Sequence, residues 1–190
     1  MTLNELLTKH RACDEAVAWA ATQPNLAAAW RKCTRIDWMC WIAGRVIDDR
    51  TMRHLACDFA ESAFEHAGDE ETLLQCILTV EISRRFADGA EDTETRVAAD
   101  DAARAAAWSA GWSAGAAARA AAWSAAGDAD DAAWSAWATW SAEWAALAGA
   151  EWAAGAAAGN AALAAANRQH LRIMRKRITA AMICKAAGVK

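Results

Sequence analysis

One stretch limits what this chain can fold into. Residues 102–166 consist mostly of Ala, Trp, Ser and Gly and hold eight of the twelve tryptophans. Ala has the highest helix propensity of any residue, so such a stretch favours helix throughout. Trp112, Trp123 and Trp134 fall eleven residues apart, and Trp137, Trp140, Trp144 and Trp152 follow at helical intervals. At about 100° per residue, all eight, Trp108 included, lie within roughly 120° of one continuous helix. An eleven-residue period means about 3.67 residues per turn, a straight or slightly right-handed apolar seam.

Little elsewhere asks for anything but helices. The 190 residues include a single Pro and ten Gly, which argues for long helices and few turns. No alternating β-branched run of the kind strands need is present. The expected fold is all-α: an N-terminal helical bundle over residues 1–90, then long Ala/Trp/Ser-rich helices over residues 91–190 that form a hairpin and end in a basic helix. Ala adds little apolar area, so the core must lean on Trp, Leu and Ile.

The order of elements follows from caps and stripes. Thr2 and Glu5 make a capping box for a first helix with Leu3, Leu6 and Leu7 inward. Cys13, Ala16, Val17 and Ala20 continue that stripe or begin a second helix, with Trp19 beside it. Pro24 ends the segment, and Asn25 can cap a short helix carrying Leu26 and Trp30. Asp37 is the next expected N-cap, ahead of a helix that is apolar nearly all round from Trp38 to Ala43. Asp48 or Asp49 then caps a helix to about His66, with Gly68 as its stop. Glu70 and Glu71 suit the start of the next helix, whose expected core residues include Leu73, Leu74, Cys76, Ile77, Val80, Ile82 and Phe86, ending near Gly89. Thr93 or Thr95 can cap the helix that enters the Ala/Trp region. A hairpin is expected at Gly127, a bend or break near Gly159, and a final helix from Ala161 to Ala187.

Charge and cysteine usage exclude several classes. After Glu151 there is no acidic residue but seven basic ones, so the tail is +7 and the chain's net −4 leaves −11 before it. Seven charges spread over a helical tail are modest, which argues against nucleic acid as the partner. The six cysteines are scattered without a CxxC pair. They suit reduced, mostly buried thiols in a cytoplasmic protein. The start of the chain, Met1 to Lys9, is polar and helix-forming, unlike a leader peptide. The longest uncharged runs, Ala105–Ala118 and Trp152–Asn167, fall short of the roughly 20 apolar residues of a membrane span.

Catalytic and metal chemistry find little support. The Ser residues that follow Trp in the Trp-Ser pairs have no His or Asp nearby in sequence to complete a nucleophilic triad. His54 and Cys57 are three apart, half of a metal site with no second half. No phosphate-binding or dinucleotide-binding glycine motif is present. No cofactor or metal is expected, and an enzyme is the least supported class. The tryptophans are the stronger candidates. Their plain role is core packing, but Arg104 and Arg119 fall near the Trp arc, and a cation beside exposed indoles suits ligand binding. Trp108, Trp112, Trp123, Arg104 and Arg119 are therefore candidate binding residues.

A second candidate set comes from resemblance. The run Thr34–Arg45, "TRIDWMCWIAGR", resembles the acidic-Trp-x-x-Trp-x-x-Gly-basic element of the all-α immunity proteins of bacterial polymorphic-toxin systems. Arg53–Phe64, "RHLACDFAESAF", resembles their Ala/Cys-rich second motif. The Ala-rich C-terminal extension resembles that of bacteriophage-borne relatives. The resemblance spans roughly Leu3 to Ala125. It implies a cytoplasmic, non-enzymatic protein that neutralises a toxin, or in a viral setting a host-defence protein, by binding it. The matching positions are Asp37, Trp38, Trp41, Gly44 and Arg45. The alternatives are a sponge that sequesters a small nucleotide-type ligand between Trp and Arg side chains, and a structural helical oligomer. A homo-oligomer, by default a dimer, is expected under each reading.

Overall fold

The computed structural model describes residues 1–109 and 156–189, and among these residues the protein is all helical, with no strand. The side chains of residues 106–109 and 156–159 lie outside that description, as do the expected hairpin at Gly127 and the tryptophans from Trp112 to Trp152.

The elements are α1 (Leu3–Lys9), α2 (Asp14–Ala21), α3 (Leu26–Lys32), α4 (Ile36–Val46), α5 (Asp49–Glu61), a single 3-10 turn (Phe64–His66), α6 (Glu70–Ala87), α7 (Thr93–Ser109), α8 (Ala156–Arg177) and α9 (Ala180–Ala187). Local chemistry starts most of them. Glu5 N–H donates to the Thr2 hydroxyl at 3.2 Å while Thr2 N–H donates to the Glu5 carboxylate at 2.8 Å, so the capping box forms. Asn25, Asp48 and Asp69 accept backbone N–H bonds at the starts of α3, α5 and α6. Asp92, rather than Thr93 or Thr95, caps α7 by accepting from Thr95 N–H at 2.7 Å. The short carboxylate arm reaches the third N–H, and both threonines already lie inside the helix.

The caps carry a pH dependence. Hydrogen bonds from Thr72 and Thr95 hold the Asp69 and Asp92 carboxyls below the usual carboxylate range. A carboxyl depressed on folding stabilises above its unfolded value of about 3.9 and loses that contribution as pH falls through the lower folded value. An Asp69→Asn variant still caps. It is expected to match the parent at neutral pH and to show a shallower loss of stability below about pH 4, read by urea unfolding across that range.

The core joins both ends of the chain. Leu6, Trp30, Met39, Cys40, Leu55 and Phe59 from α1 and α3–α5 form one buried cluster with Leu171 and Met174 from α8, Ile183 from α9 and Ile178 from the break between them. Packing is reinforced by two reciprocal polar contacts. Trp30 Nε1 donates to the Ile178 carbonyl at 2.8 Å, closing the C-terminus of α8. Arg175 donates to the Trp30 and Cys33 carbonyls at the end of α3. Helix ends leave such carbonyls without intrahelical partners, and each helix here supplies a donor to the other. Trp30→Phe keeps most of the apolar volume and strands a buried carbonyl. It is expected to cost about 1–2 kcal/mol in chemical denaturation.

A charge cluster pins the other side of α8. Arg177 forks onto Asp58 at 2.8 and 2.7 Å, and Arg84 donates to the same carboxylate at 2.8 Å and also pairs with Glu61. The bond network therefore ties α5 to α6 and α8 at once.

The structure revises several sequence expectations. α4 begins one residue after Arg35, so Asp37 sits in its first turn, where its charge suits the helix dipole. The helix expected to reach His66 stops at Glu61, and a 3-10 turn covers the rest before Gly68 at φ +84°. α8 passes straight through Gly159, since a single helical Gly lowers helix stability only modestly. The final helix is split: Thr179 accepts from Met182 N–H and restarts the chain as α9. On α6 the burial differs too. Thr72, Cys76, Thr79, Val80 and Ser83 face inward, whereas Leu74, Ile77 and Leu78 are exposed.

Candidate functional site

Four short N-terminal helices surround a groove of about 520 Å³. Its floor is apolar and buried, with Leu7, Trp30, Cys33 and Met39 contributing. Trp19, Trp38 and Trp41 are only half-buried and form its walls, and Arg11, Glu15, Arg35 and Asp37 form an exposed charged rim.

The local sequence places each of these groups. Arg11 adopts a left-handed conformation, φ 57°, at the end of α1. Its N–H donates to the Thr8 carbonyl at 3.1 Å, and Ala12 N–H donates to the Leu7 carbonyl at 3.0 Å. This is the paired closure usually given to Gly. It reverses the chain tightly enough for α2 to lie beside α1 and brings Arg11 to the rim. On α4, Trp38 and Trp41 are three residues apart and project on one face. Trp19, from α2, meets Trp38 with ring centroids 5.9 Å apart and planes tilted by 54°, within the favourable range for aromatic pairs.

Two arginines lie on these indoles. The Arg35 guanidinium sits 4.6 Å from the Trp38 ring centre, and that of Arg45 sits 3.9 Å from the Trp41 ring centre. Arg45 also donates to the Trp41 carbonyl at 2.7 Å. Arg35 is held from two sides. It forks onto Asp37 at 3.0 and 2.7 Å and reaches Glu15 on α2 at 3.3 Å. Burial pushes the Asp37 carboxyl upward, but the hydrogen bonds and charge of Arg35 outweigh it and hold the carboxyl below its usual range. The hydrogen bond to Asp37 raises the Arg35 guanidinium in turn. The trio fixes the orientation of Arg35 over Trp38. Burial pushes the Cys33 thiol in the floor up, which disfavours its thiolate form.

The groove therefore offers flat aromatic walls, an apolar floor and a charge-balanced rim. Such a surface can bind flat or apolar groups, and Arg35, Asp37 and Glu15 on its rim are tied to one another. A second depression, of about 540 Å³, lies along α5 and α8, but its Asp58 is held by Arg177 and Arg84 and its Glu61 by Arg84. Ser62 borders it, 2.9 Å from His170 Nε2. The Ser62 hydroxyl donates to the Phe59 carbonyl at 2.6 Å, so the histidine nitrogen is the donor to the serine oxygen. That pair satisfies a buried histidine and does not activate the serine. Among the described residues no group of three His, Cys, Asp or Glu could hold a metal ion. Cys57 is fully buried and His54 pairs with Asp88.

Of the residues singled out from sequence, Trp38 and Trp41 line the groove and Arg45 braces it from behind Trp41. Arg104 lies on α7, apart from the groove, and pairs with Asp100 at 2.9 Å. Trp108 belongs to α7 with its side chain outside the described residues, and Trp112, Arg119 and Trp123 lie outside them altogether. Trp19, Arg35 and Glu15 carry no such signal in the amino-acid sequence. Only proximity in the fold selects Trp19 and Glu15, although Arg35 sits two residues before Asp37, within the Thr34–Arg45 motif.

No family model matches the chain, and no curated protein or solved structure matches it.

Proposed function

We propose that this is a non-enzymatic binding protein whose α1–α4 groove takes side chains of a target protein, neutralising it. One observation carries the reading: three half-buried tryptophans, two of them capped by arginines, wall an apolar groove. Trp and Arg are the residue types that dominate protein-binding hot spots, and they do so when set around a dry centre. The resemblance of Thr34–Arg45 to immunity proteins directs the choice of target to a toxin or a host-defence protein. The protein acts in the cytoplasm on this reading. No helix among the described residues is long and apolar enough to cross a membrane.

The groove's size also favours a second reading. A volume of about 520 Å³ falls within the range of small-molecule sites, so a sponge for a nucleotide-type ligand fits on volume. Charge favours it less. Arg35 is already neutralised by Asp37 and Glu15, leaving less attraction for a phosphate.

A photo-crosslinking amino acid placed at Glu15, on the rim, tests the proposal. In producing cells it is expected to capture one polypeptide that Trp38→Ala no longer captures. Equal capture by the Trp38→Ala chain contradicts the proposal.

A further inference from the structure

The exposed side of α6 carries a second surface. Glu71, Leu74, Leu78, Glu81 and Arg85 are spaced three, four, three and four residues apart, the spacing of a two-helix seam. At about 100° per residue they occupy a stripe some 80° wide, with Ile77 beside it. The stripe faces away from the protein. The opposite side of α6 holds Thr72, Cys76, Thr79 and Ser83, all buried, and the Thr79 hydroxyl lies 3.3 Å from the Ala99 carbonyl of α7. Leu74 is 55% exposed, Leu78 44% and Ile77 40%, an uncommon concentration of large apolar groups in water on one helix.

We propose that this stripe is a homodimer interface in which α6 packs against α6 of a second copy, antiparallel about a two-fold axis near Leu78. Charge decides the occupant and its direction. α6 begins with Glu70 and Glu71 and ends with Arg84 and Arg85. With Leu78 at the axis, Glu71 of each copy lies opposite Arg85 of the other, and the leucines fill the space between. A parallel pair would set Glu71 against Glu71 and Arg85 against Arg85, which is unfavourable. Arg85 pairs with Glu91 at 3.1 Å, yet its side chain is 56% exposed, and a guanidinium has donors enough for both carboxylates. The antiparallel dimer also aligns opposite helix dipoles. No residue of the stripe lines the α1–α4 groove, so the dimer stands or falls independently of the proposed binding function.

Light scattering on the full chain, resolved by size-exclusion chromatography, tests the interface. The parent is expected at twice the chain mass, and Leu78→Glu at the chain mass under the same conditions, with unchanged far-ultraviolet circular dichroism. Glu71→Arg is expected to weaken the dimer by about three- to tenfold, as an exposed charge pair does. Combining Glu71→Arg with Arg85→Glu is expected to restore it, because the charges again meet their opposites. A monomeric parent overturns the proposal, and so does a Leu78→Glu chain that stays dimeric. Failure of the double variant to recover dimerisation overturns the antiparallel arrangement.

Discussion

A Met174→Ala substitution is expected to lose roughly 2–5 kcal/mol of stability, the range for truncating a large side chain in a packed core. Met174 lies on α8, near the C-terminal end of the chain, and is fully buried in the cluster built by α1 and α3–α5. Its removal leaves a void within that cluster. For a domain of this size, each kcal/mol moves the unfolding midpoint by about 2–4 °C. A fall of about 4–20 °C is expected in a thermal melt. Met182 on α9 is 39% exposed, and Met182→Ala is expected to change stability by no more than about 0.5 kcal/mol. A small effect at Met174 would mean that α8 does not complete the N-terminal core.

The second large effect is on binding. Trp38 has three roles: it packs on Trp19, supports Arg35, and forms a wall of the groove. Truncating a central aromatic of this kind typically costs 2 kcal/mol or more of binding, about thirtyfold in affinity. Trp38→Ala is therefore expected to weaken capture of the target by at least about thirtyfold while the helical content stays. Arg104→Ala is expected to leave binding unchanged, because Arg104 lies on α7 and pairs with Asp100. Titration of the purified target into each variant by calorimetry checks both. Loss of binding in Arg104→Ala with retention in Trp38→Ala would move the site to the Trp-rich helices.

What could be seen in the sequence was local. The Thr2–Glu5 box, the Asn25 cap and the Asp48 cap each depend on side chains reaching backbone groups within three residues, so the order of residues alone places them. Asp37 misled because aspartate is equally at home at the cap and inside the first turn, and Arg35 two residues earlier holds it there. On α6 the apolar residues surround the helix, and composition alone cannot say which arc meets α5 and α7. Thr79 and Ser83 won the inside because close helix approach favours small side chains that can hydrogen-bond backbone carbonyls. The α4 side of the groove, with Trp38, Trp41 and Arg45, was singled out only through the resemblance of Thr34–Arg45 to the immunity-protein element. The other half was not, because Trp19 and Glu15 reach the site through the turn at Arg11, whose left-handed backbone leaves no sequence signature. The docking of α8 and α9 into the N-terminal core joins residues more than a hundred positions apart, as in the Trp30–Ile178 bond. No periodicity along the chain encodes such a contact.

The most direct test is native mass spectrometry of the parent and Trp38→Ala chains purified gently from producing cells. The account predicts a second polypeptide in stoichiometric ratio with the parent and its loss from Trp38→Ala. A parent carrying instead a bound mass of a few hundred daltons, or a target that stays with Trp38→Ala, would contradict it.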